Sequence, residues 1–317
     1  MQMRKSGKAV SHRKNITVEK VISDFIAYKK ASKSAERTIV DYKKHLKLFF
    51  NQYSDEALNL EKLETVVLQD FARYSDKAAA TYNLHYAYMH SFFNWLIERK
   101  YLQENPITTL KLKKRKAESK AKNVPESVIE KLLDAMDLDT YVGLRDYALT
   151  VLTMDTGIRP SEALATREVD YDLDNGVLVI REEIAKTRVG REVMLSQQTC
   201  EIIKILNSYK PKGFCQNMFC SWEGEPINTH AWYLRLREYS REINYKVRPY
   251  DLRHSFAIQF IKGGGSAFAL RKILGHTNMN MTQVYVNLAE SDMKEQLEKA
   301  SPVHRYVKRA TKIKRKN

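Results

Sequence analysis

EVDYDLDNGVLVIREEIAKTRVGREVMLS, residues 168–196, is where the periodicity of this chain changes. On either side apolar residues return every three or four positions, as on one face of a helix, whereas here they alternate as on a pleated strand. Asn175-Gly176 lies between "EVDYDL" and "VLVIREEI", and an Asn-Gly pair readily adopts the left-handed conformations of a tight hairpin turn. "REVMLS" follows a second turn at "KTRVG" and supplies a third strand. The expected fold class is mainly α, with one small antiparallel β-sheet in the C-terminal domain.

Helices flank the sheet. Upstream, "VPESVIEKLLDAM" and "YVGLRDYALTVLTMDTG" read as two, the second capped by Gly157. Downstream, "QQTCEIIKILNSY", "THAWYLRLREYSREI", "DLRHSFAIQFIKG" and "SAFALRKILG" read as four more. "KGGGS" (262–266) has no preceding strand and no Lys-Ser/Thr ending, so it reads as a turn between helices and not as a phosphate cradle. Residues 17–105 are helical throughout, with Ile39, Tyr42, Leu46 and Phe49 on one stripe and Leu84, Tyr88, Phe92 and Leu96 on another. With helices near 17–31 and 62–75 these make a four-helix module ending at "ENPI", where Pro106 is expected to stop a helix.

A length of 317 residues favours two domains. The reading divides the chain into a basic arm (1–16), a helical domain (17–106), a basic linker (107–124), a second domain (125–303) and a basic tail (304–317). Cys200, Cys215 and Cys220 are odd in number and lack metal-ligand spacing, which points to free thiols, a reducing compartment and no metal. With no apolar run of membrane-spanning length and no apolar signal core, the expected location is the cytoplasm.

The net charge of +16 calls for an anionic polymer as partner, and its distribution says how it would be met. Residues 1–14, 111–122 and 304–317 together carry more positive charge than the whole chain, so the remainder is close to neutral. A basic internal stretch is kept extended by self-repulsion and gains affinity for a polyanion by releasing counterions. "KLKKRKAESKAK" (111–122), with Lys113, Lys114 and Arg115, is therefore expected to lie against DNA.

Three short stretches of the second domain hold polar residues that a core does not require. "TGIRPSEAL" places Arg159 past a helix end with Glu162 one turn on, where the carboxylate can brace the guanidinium. "YDLRHSFA" puts Tyr250 and Arg253 on one helix face, and "LGHTNMNMTQVYV" holds His276 and, nine residues later, Tyr285. Taken singly, an arginine at a helix end is an ordinary surface ion pair, Lys186 an exposed turn lysine, and a tyrosine in a helix a packing residue.

Taken together, Arg159 in "TGIRPSE", Lys186 in "AKTRVGREVMLS", Arg253 in "YDLRHSFA", His276 in "LGH" and Tyr285 resemble the tyrosine recombinases, the phage integrase and Xer-type family, in order, spacing and neighbours. The resemblance spans both domains and implies an N-terminal four-helix core-binding domain followed by a catalytic domain. It implies double-stranded DNA with a specific site as partner, a homotetramer on two synapsed sites, and no cofactor. By resemblance Tyr285 attacks the phosphorus and forms a 3′-phosphotyrosyl link, Arg159 and Arg253 neutralise the phosphate, Lys186 protonates the departing 5′-oxygen, and His276 bonds the phosphate.

One position departs from the family's pattern. Where most members carry a histidine three residues before the second arginine, this chain has Tyr250; a tyrosine side chain keeps a hydrogen-bond donor but, unlike a histidine, is by type a poor base at neutrality. His254, adjacent to Arg253, is expected about 100° off the face shared by Tyr250 and Arg253 and so to be structural. Two other functions stay open at this level: a type IB topoisomerase-like enzyme that nicks and reseals, and a DNA-binding protein with a decayed active site.

Overall fold

The computed structural model describes residues 17–57, 62–116 and 122–289, together with positions 297, 301 and 303. The basic arm, the middle of the linker, the basic tail and nearly all of "ESDMKEQLEKASP" (290–302), whose helical pattern fits either a segment that docks on a neighbouring copy or a helix packed on its own domain, lie outside the described residues. The chain divides into two compact units, with the boundary between residues 118 and 119.

The first unit holds α1 (Val18–Ala31), α2 (Glu36–Ala57), α3 (Leu63–Ala72), α4 (Ala79–Glu98) and α5 (Pro106–Thr109). Its core is aromatic. Phe25 of α1 meets Tyr42, Phe92 and Trp95 edge to face at 5.1, 5.2 and 5.4 Å, a geometry that adds to plain area burial. The stripe through Ile39, Tyr42, Leu46 and Phe49 is buried as its spacing predicts, but on α4 Leu84 is 48% exposed and His85, one position on, is 1% exposed. A histidine takes that inward position because Asp70 of α3 accepts from its Nε2 at 2.6 Å, and Tyr74 stacks on the ring at 4.0 Å.

Pro106 differs from expectation too. The long helix α4 has already ended at Glu98, and Pro106 opens α5 at its first position, where a missing N–H removes no helical bond. Asn105 caps that turn, its side-chain oxygen accepting from the Ile107 amide at 3.0 Å. The linker then returns to the unit: Asn83 and Arg115 exchange two bonds of 2.8 Å, and the Arg115 guanidinium lies 3.9 Å over the Tyr82 ring.

The second unit contains α6 (Glu126–Asp134), α7 (Tyr141–Thr156), α8 (Pro160–Ala165), the sheet β1 (Tyr171–Asp172), β2 (Val177–Ile180) and β3 (Arg191–Met194), then α9 (Gln197–Tyr209), α10 (Thr229–Glu242), α11 (Pro249–Lys262), α12 (Ala267–Leu274) and α13 (Asn280–Ala289). The sheet is antiparallel in the order β1-β2-β3, with Leu178 opposite Val193. Its strands are shorter than the alternation suggests. Glu168–Asp170 form a 3-10 turn, and Arg181 leaves the ladder because Asp170 accepts from its Nε at 2.8 Å.

Two glycines fix how helices meet near the site. Gly157 ends α7 at φ +61, and a Cβ there would lie 2.2 Å from the Phe256 ring of α11. Gly275 ends α12 at φ +60, with the Arg191 side chain 3.2 Å from where its Cβ would be. Both positions combine a left-handed backbone with close approach, which glycine alone tolerates cheaply. Among the described residues no helix is long and apolar enough to cross a membrane.

Candidate active site

The end of α12 organises the site. Its last carbonyls lack helical partners, and this end of the helix dipole is negative, so cations are favoured there. Three consecutive carbonyls each take a different guanidinium. Ile273 accepts from Arg191 Nε at 3.2 Å, Leu274 from Arg253 Nη2 at 3.1 Å, and Gly275 from Arg159 Nη2 at 3.0 Å.

Each arginine arrives from a separate element. Arg159 is the N-cap of α8, which Pro160 opens, and its Nη1 donates to Glu162 Oε1 at 2.9 Å, the brace its spacing predicts. Arg253, on α11, is 3% exposed and also donates from Nη1 to the Gly157 carbonyl. Arg191 opens β3 and donates from Nη2 to Glu162 Oε2 at 2.6 Å. Burial pushes the Glu162 carboxyl up, but Arg191, Arg159 and the Lys186 amide more than offset this and leave it below the usual range. Burial also lowers Arg253 to about 10, and the neighbouring Arg159 adds to the effect; it still carries its proton at neutral pH.

His276 follows Gly275 directly and is 7% exposed. Arg253 Nη2 lies 3.1 Å from its Nε2 and Thr282 Oγ1 lies 3.0 Å from its Nδ1. A guanidinium can only donate, so Nε2 accepts and the proton sits on Nδ1, which donates to Thr282. Burial, then the cations Arg253, Arg159 and Arg191, hold His276 down to about 4, so it is neutral at pH 7.

Tyr285 of α13 is 5% exposed, and its ring lies parallel to that of His276 with centroids 6.2 Å apart. Its hydroxyl is 2.8 Å from Nδ1 of His254. Burial raises the phenol above its ordinary value while Arg253 and Arg159 pull it back. Burial lowers His254 as well. A neutral imidazole with one nitrogen on a phenol oxygen is positioned to accept its proton.

The expectation for His254 is thus corrected. On a helix Arg253 lies about 60° to one side of Tyr250 and His254 about 40° to the other, so the two share the face that Tyr250 centres. Tyr250 itself is 43% exposed and lies 6.4 Å, ring to ring, from His254. It is His254 that the structure places in hydrogen-bond contact with the Tyr285 hydroxyl.

Lys186 lies in the turn between β2 and β3. Its backbone amide donates to Glu162 Oε1 at 3.2 Å and its side chain is exposed. Arg159, Arg253, His276 and Tyr285 therefore belong to one connected cluster around Glu162 and the end of α12, which Lys186 joins through its backbone amide. Arg191 and Thr282 also belong to it, and the sequence reading did not pick them out. For Arg191 a signal existed: on β3 it occupies the inward phase shared with Val193, a place where a strand ordinarily carries an apolar residue.

Lys113, Lys114 and Arg115 lie in the first unit. Lys113 is exposed, the Lys114 ammonium is 5.9 Å from the Tyr86 ring, and Arg115 Nη1 donates to the carbonyls of Ser75 and Lys77 at 2.9 and 3.2 Å.

Known proteins share both sequence and fold with this chain. Residues 122–292 match the phage integrase family, and residues 22–100 match the phage integrase N-terminal SAM-like domain. The tyrosine recombinase XerD of Ralstonia nicotianae is 25% identical over 282 residues, covering 82% of this chain and 86% of that protein. The Tn1549 transposon integrase, solved in complex with a circular intermediate DNA, superposes with a TM-score of 0.71 at 16% identity over 90% of this chain and 100% of that one. The XerH site-specific recombinase bound to a palindromic difH substrate gives 0.69 at 20% identity over 91% of this chain and 85% of that one. A family match over more than half of the chain, on the stretch that carries the arginine cluster and Tyr285, shows that this protein belongs to the phage integrase family, the tyrosine recombinases.

Proposed function

We propose that this protein cuts and rejoins DNA at a specific site through a covalent 3′-phosphotyrosyl link to Tyr285, with neither metal nor ATP. The observation that carries this reading is the convergence, within one unit, of a phenol on an imidazole and three guanidiniums on the end of one helix. Attack by the Tyr285 oxygen forms a P–O bond and breaks the bond from phosphorus to the 5′-oxygen. The phenol proton passes to His254 Nδ1, and Lys186 supplies the proton that the leaving 5′-oxygen needs. Charge growing on the non-bridging oxygens is met by Arg159 and Arg253, whose forks match a phosphate. Because the ester energy is kept in the covalent link, any correctly placed 5′-hydroxyl can reseal the strand.

His276 has both ring nitrogens engaged, so in this arrangement it fixes Arg253 as well as flanking Tyr285. Lys113 and Lys114 would meet the DNA backbone from the first unit, and four copies would assemble on two sites in the cytoplasm. The test is to express wild type and Tyr285→Phe with host DNA, denature, recover DNA that stays attached to protein, and sequence it. Adducts from wild type alone, focused on one sequence, are expected and would deliver the target site. Scattered adducts would move the reading to a topoisomerase, and none from either protein, in conditions where binding is demonstrable, would end the enzyme reading.

A further inference from the structure

Glu162 joins three parts of the site. One of its oxygens accepts from Arg159 Nη1 at 2.9 Å and from the Lys186 amide at 3.2 Å, and the other accepts from Arg191 Nη2 at 2.6 Å. Arg191 in turn reaches the Ile273 carbonyl, one residue before the carbonyl that holds Arg253. Arg191 stands five residues after Lys186, at the far foot of the same turn. The near foot is held separately, by Arg181 on Asp170 and on the Ala165 carbonyl at 3.2 Å. Between these feet the turn folds tightly, with Arg188 at φ 54 and a Cβ on Gly190 only 3.2 Å from the Ile180 carbonyl.

A buried guanidinium is a costly anchor. The Arg191 side chain is 11% exposed, and its Nη1 is buried without a hydrogen-bond partner among the described residues. An unpaired buried N–H opposes folding, so an apolar residue would hold a strand end at less expense. What an apolar residue could not do is bind Glu162 and the α12 carbonyl together in fixed directions.

We propose that Arg191 is a positioning residue for the general acid: it locks the turn between β2 and β3 onto Glu162 and the end of α12, so that the Lys186 ammonium is delivered to the departing 5′-oxygen. This rests on the strand-cleavage reading above. Arg191 makes no contact with the reacting atoms in this role. Its loss leaves Tyr285, His254, Arg159 and Arg253 with their own anchors and frees the turn that carries Lys186.

The experiment exploits the leaving group. A duplex bearing the site recovered from covalent adducts is made in two forms, one normal and one with sulfur in place of the bridging 5′-oxygen at the cleaved phosphate. A thiolate departs without being protonated, so the sulfur duplex needs no general acid. Arg191→Gln is expected to slow cleavage of the normal duplex on the order of 10²-fold, the lower end of what a general acid contributes. On the sulfur duplex the variant should return to within about tenfold of wild type, and Lys186→Ala should show the same pattern. The double variant should be no slower than Lys186→Ala, because both act on one step. Arg191→Lys, which keeps charge and stem, runs in parallel against a folding failure of the glutamine variant and should show the same rescue at smaller amplitude. Equal slowing of Arg191 variants on both duplexes, or no slowing on the normal one, overturns the proposal. A wild type that forms no Tyr285 adduct on either duplex overturns the cleavage reading beneath it.

Discussion

Two histidines, one in each unit, are held at about 4, and the causes differ in a way that separates scaffold from active site. Burial lowers His45 first, then His85, while the carboxylates of Asp41 and Asp70 pull upward. Its Nδ1 meets His85 Nδ1 at 3.0 Å, His85 meets Asp70, and the His45 ring stacks on Tyr88 at 4.8 Å. That network closes on itself and ties α2, α3 and α4 together. Around His276 no carboxylate pulls the other way: the guanidiniums of Arg253, Arg159 and Arg191 push it down, and His254 acts in the same direction. Both oxygens of Glu162 are already committed there, so three guanidiniums face one carboxylate. A polar network with a surplus of one sign is built to meet a charged partner; a balanced one is built to hold helices.

The largest effects should come from removing that surplus. Arg253→Lys keeps a charge but loses the fork that spans the Gly157 and Leu274 carbonyls. Single-turnover cleavage should fall on the order of 10² to 10³-fold with DNA affinity nearly retained. A tenfold loss of binding with unchanged cleavage would instead make Arg253 a docking residue.

Next in size is the choice between His254 and Tyr250. His254→Gln should slow cleavage about 10²-fold, whereas Tyr250→Phe should change it less than about threefold. Because burial lowers His254, its neutral, proton-accepting form persists below the ordinary histidine value. The acid limb of the wild-type rate should therefore lie below about pH 6.5 and be absent in His254→Gln. An unchanged limb in that variant would assign the limb to another group and remove His254 as the base.

How far these residues could be read beforehand depends on what fixes each of them. Arg159 with Glu162 and Tyr285 with His276 stand out because their partners are near in sequence, and helical spacing or a fixed interval carries the information. The sheet was legible from alternation and Asn175-Gly176, but its short strands were not, since Arg181 is drawn out by Asp170, eleven residues away. Arg191 was hidden for the same reason. Its partners are Glu162 and Ile273, 29 and 82 positions distant, and only its inward phase on β3 hinted at them. His85 displaced Leu84 from the core because of Asp70, a contact between helices that the apolar stripe on α4 does not encode.

The balanced network makes its own, smaller prediction. His45 has a folded value of about 4, below the ordinary 6.5, so the neutral ring stabilises the fold. That contribution is fully present above about pH 6.5 and is lost as pH falls toward 4, because the unfolded chain takes up the proton first. Urea melts of wild type at pH 7 and pH 5 should differ by about 1 kcal/mol from this residue, once screening of a half-buried ring is allowed for. His45→Gln should shrink the difference, and an undiminished one would place the acid sensitivity elsewhere.

The smallest effect sharpens the boundary between holding and meeting within a single basic stretch. Lys113, Lys114 and Arg115 look alike in sequence, yet Arg115 is spent on Tyr82, Ser75 and Lys77 while the Lys113 side chain is exposed. Each phosphate contact adds about 0.9 to the slope of log affinity against log salt, so Lys113→Ala should flatten that slope by roughly this amount. Arg115→Ala should leave the slope nearly unchanged and lower the melting temperature, because it loses a stacked cation and two carbonyl bonds inside the unit. If both variants flatten the slope equally, Arg115 releases its internal partners to take a phosphate, and the linker is remodelled on DNA. If neither does, the charge that binds DNA lies elsewhere in the chain, and this stretch belongs with the scaffold.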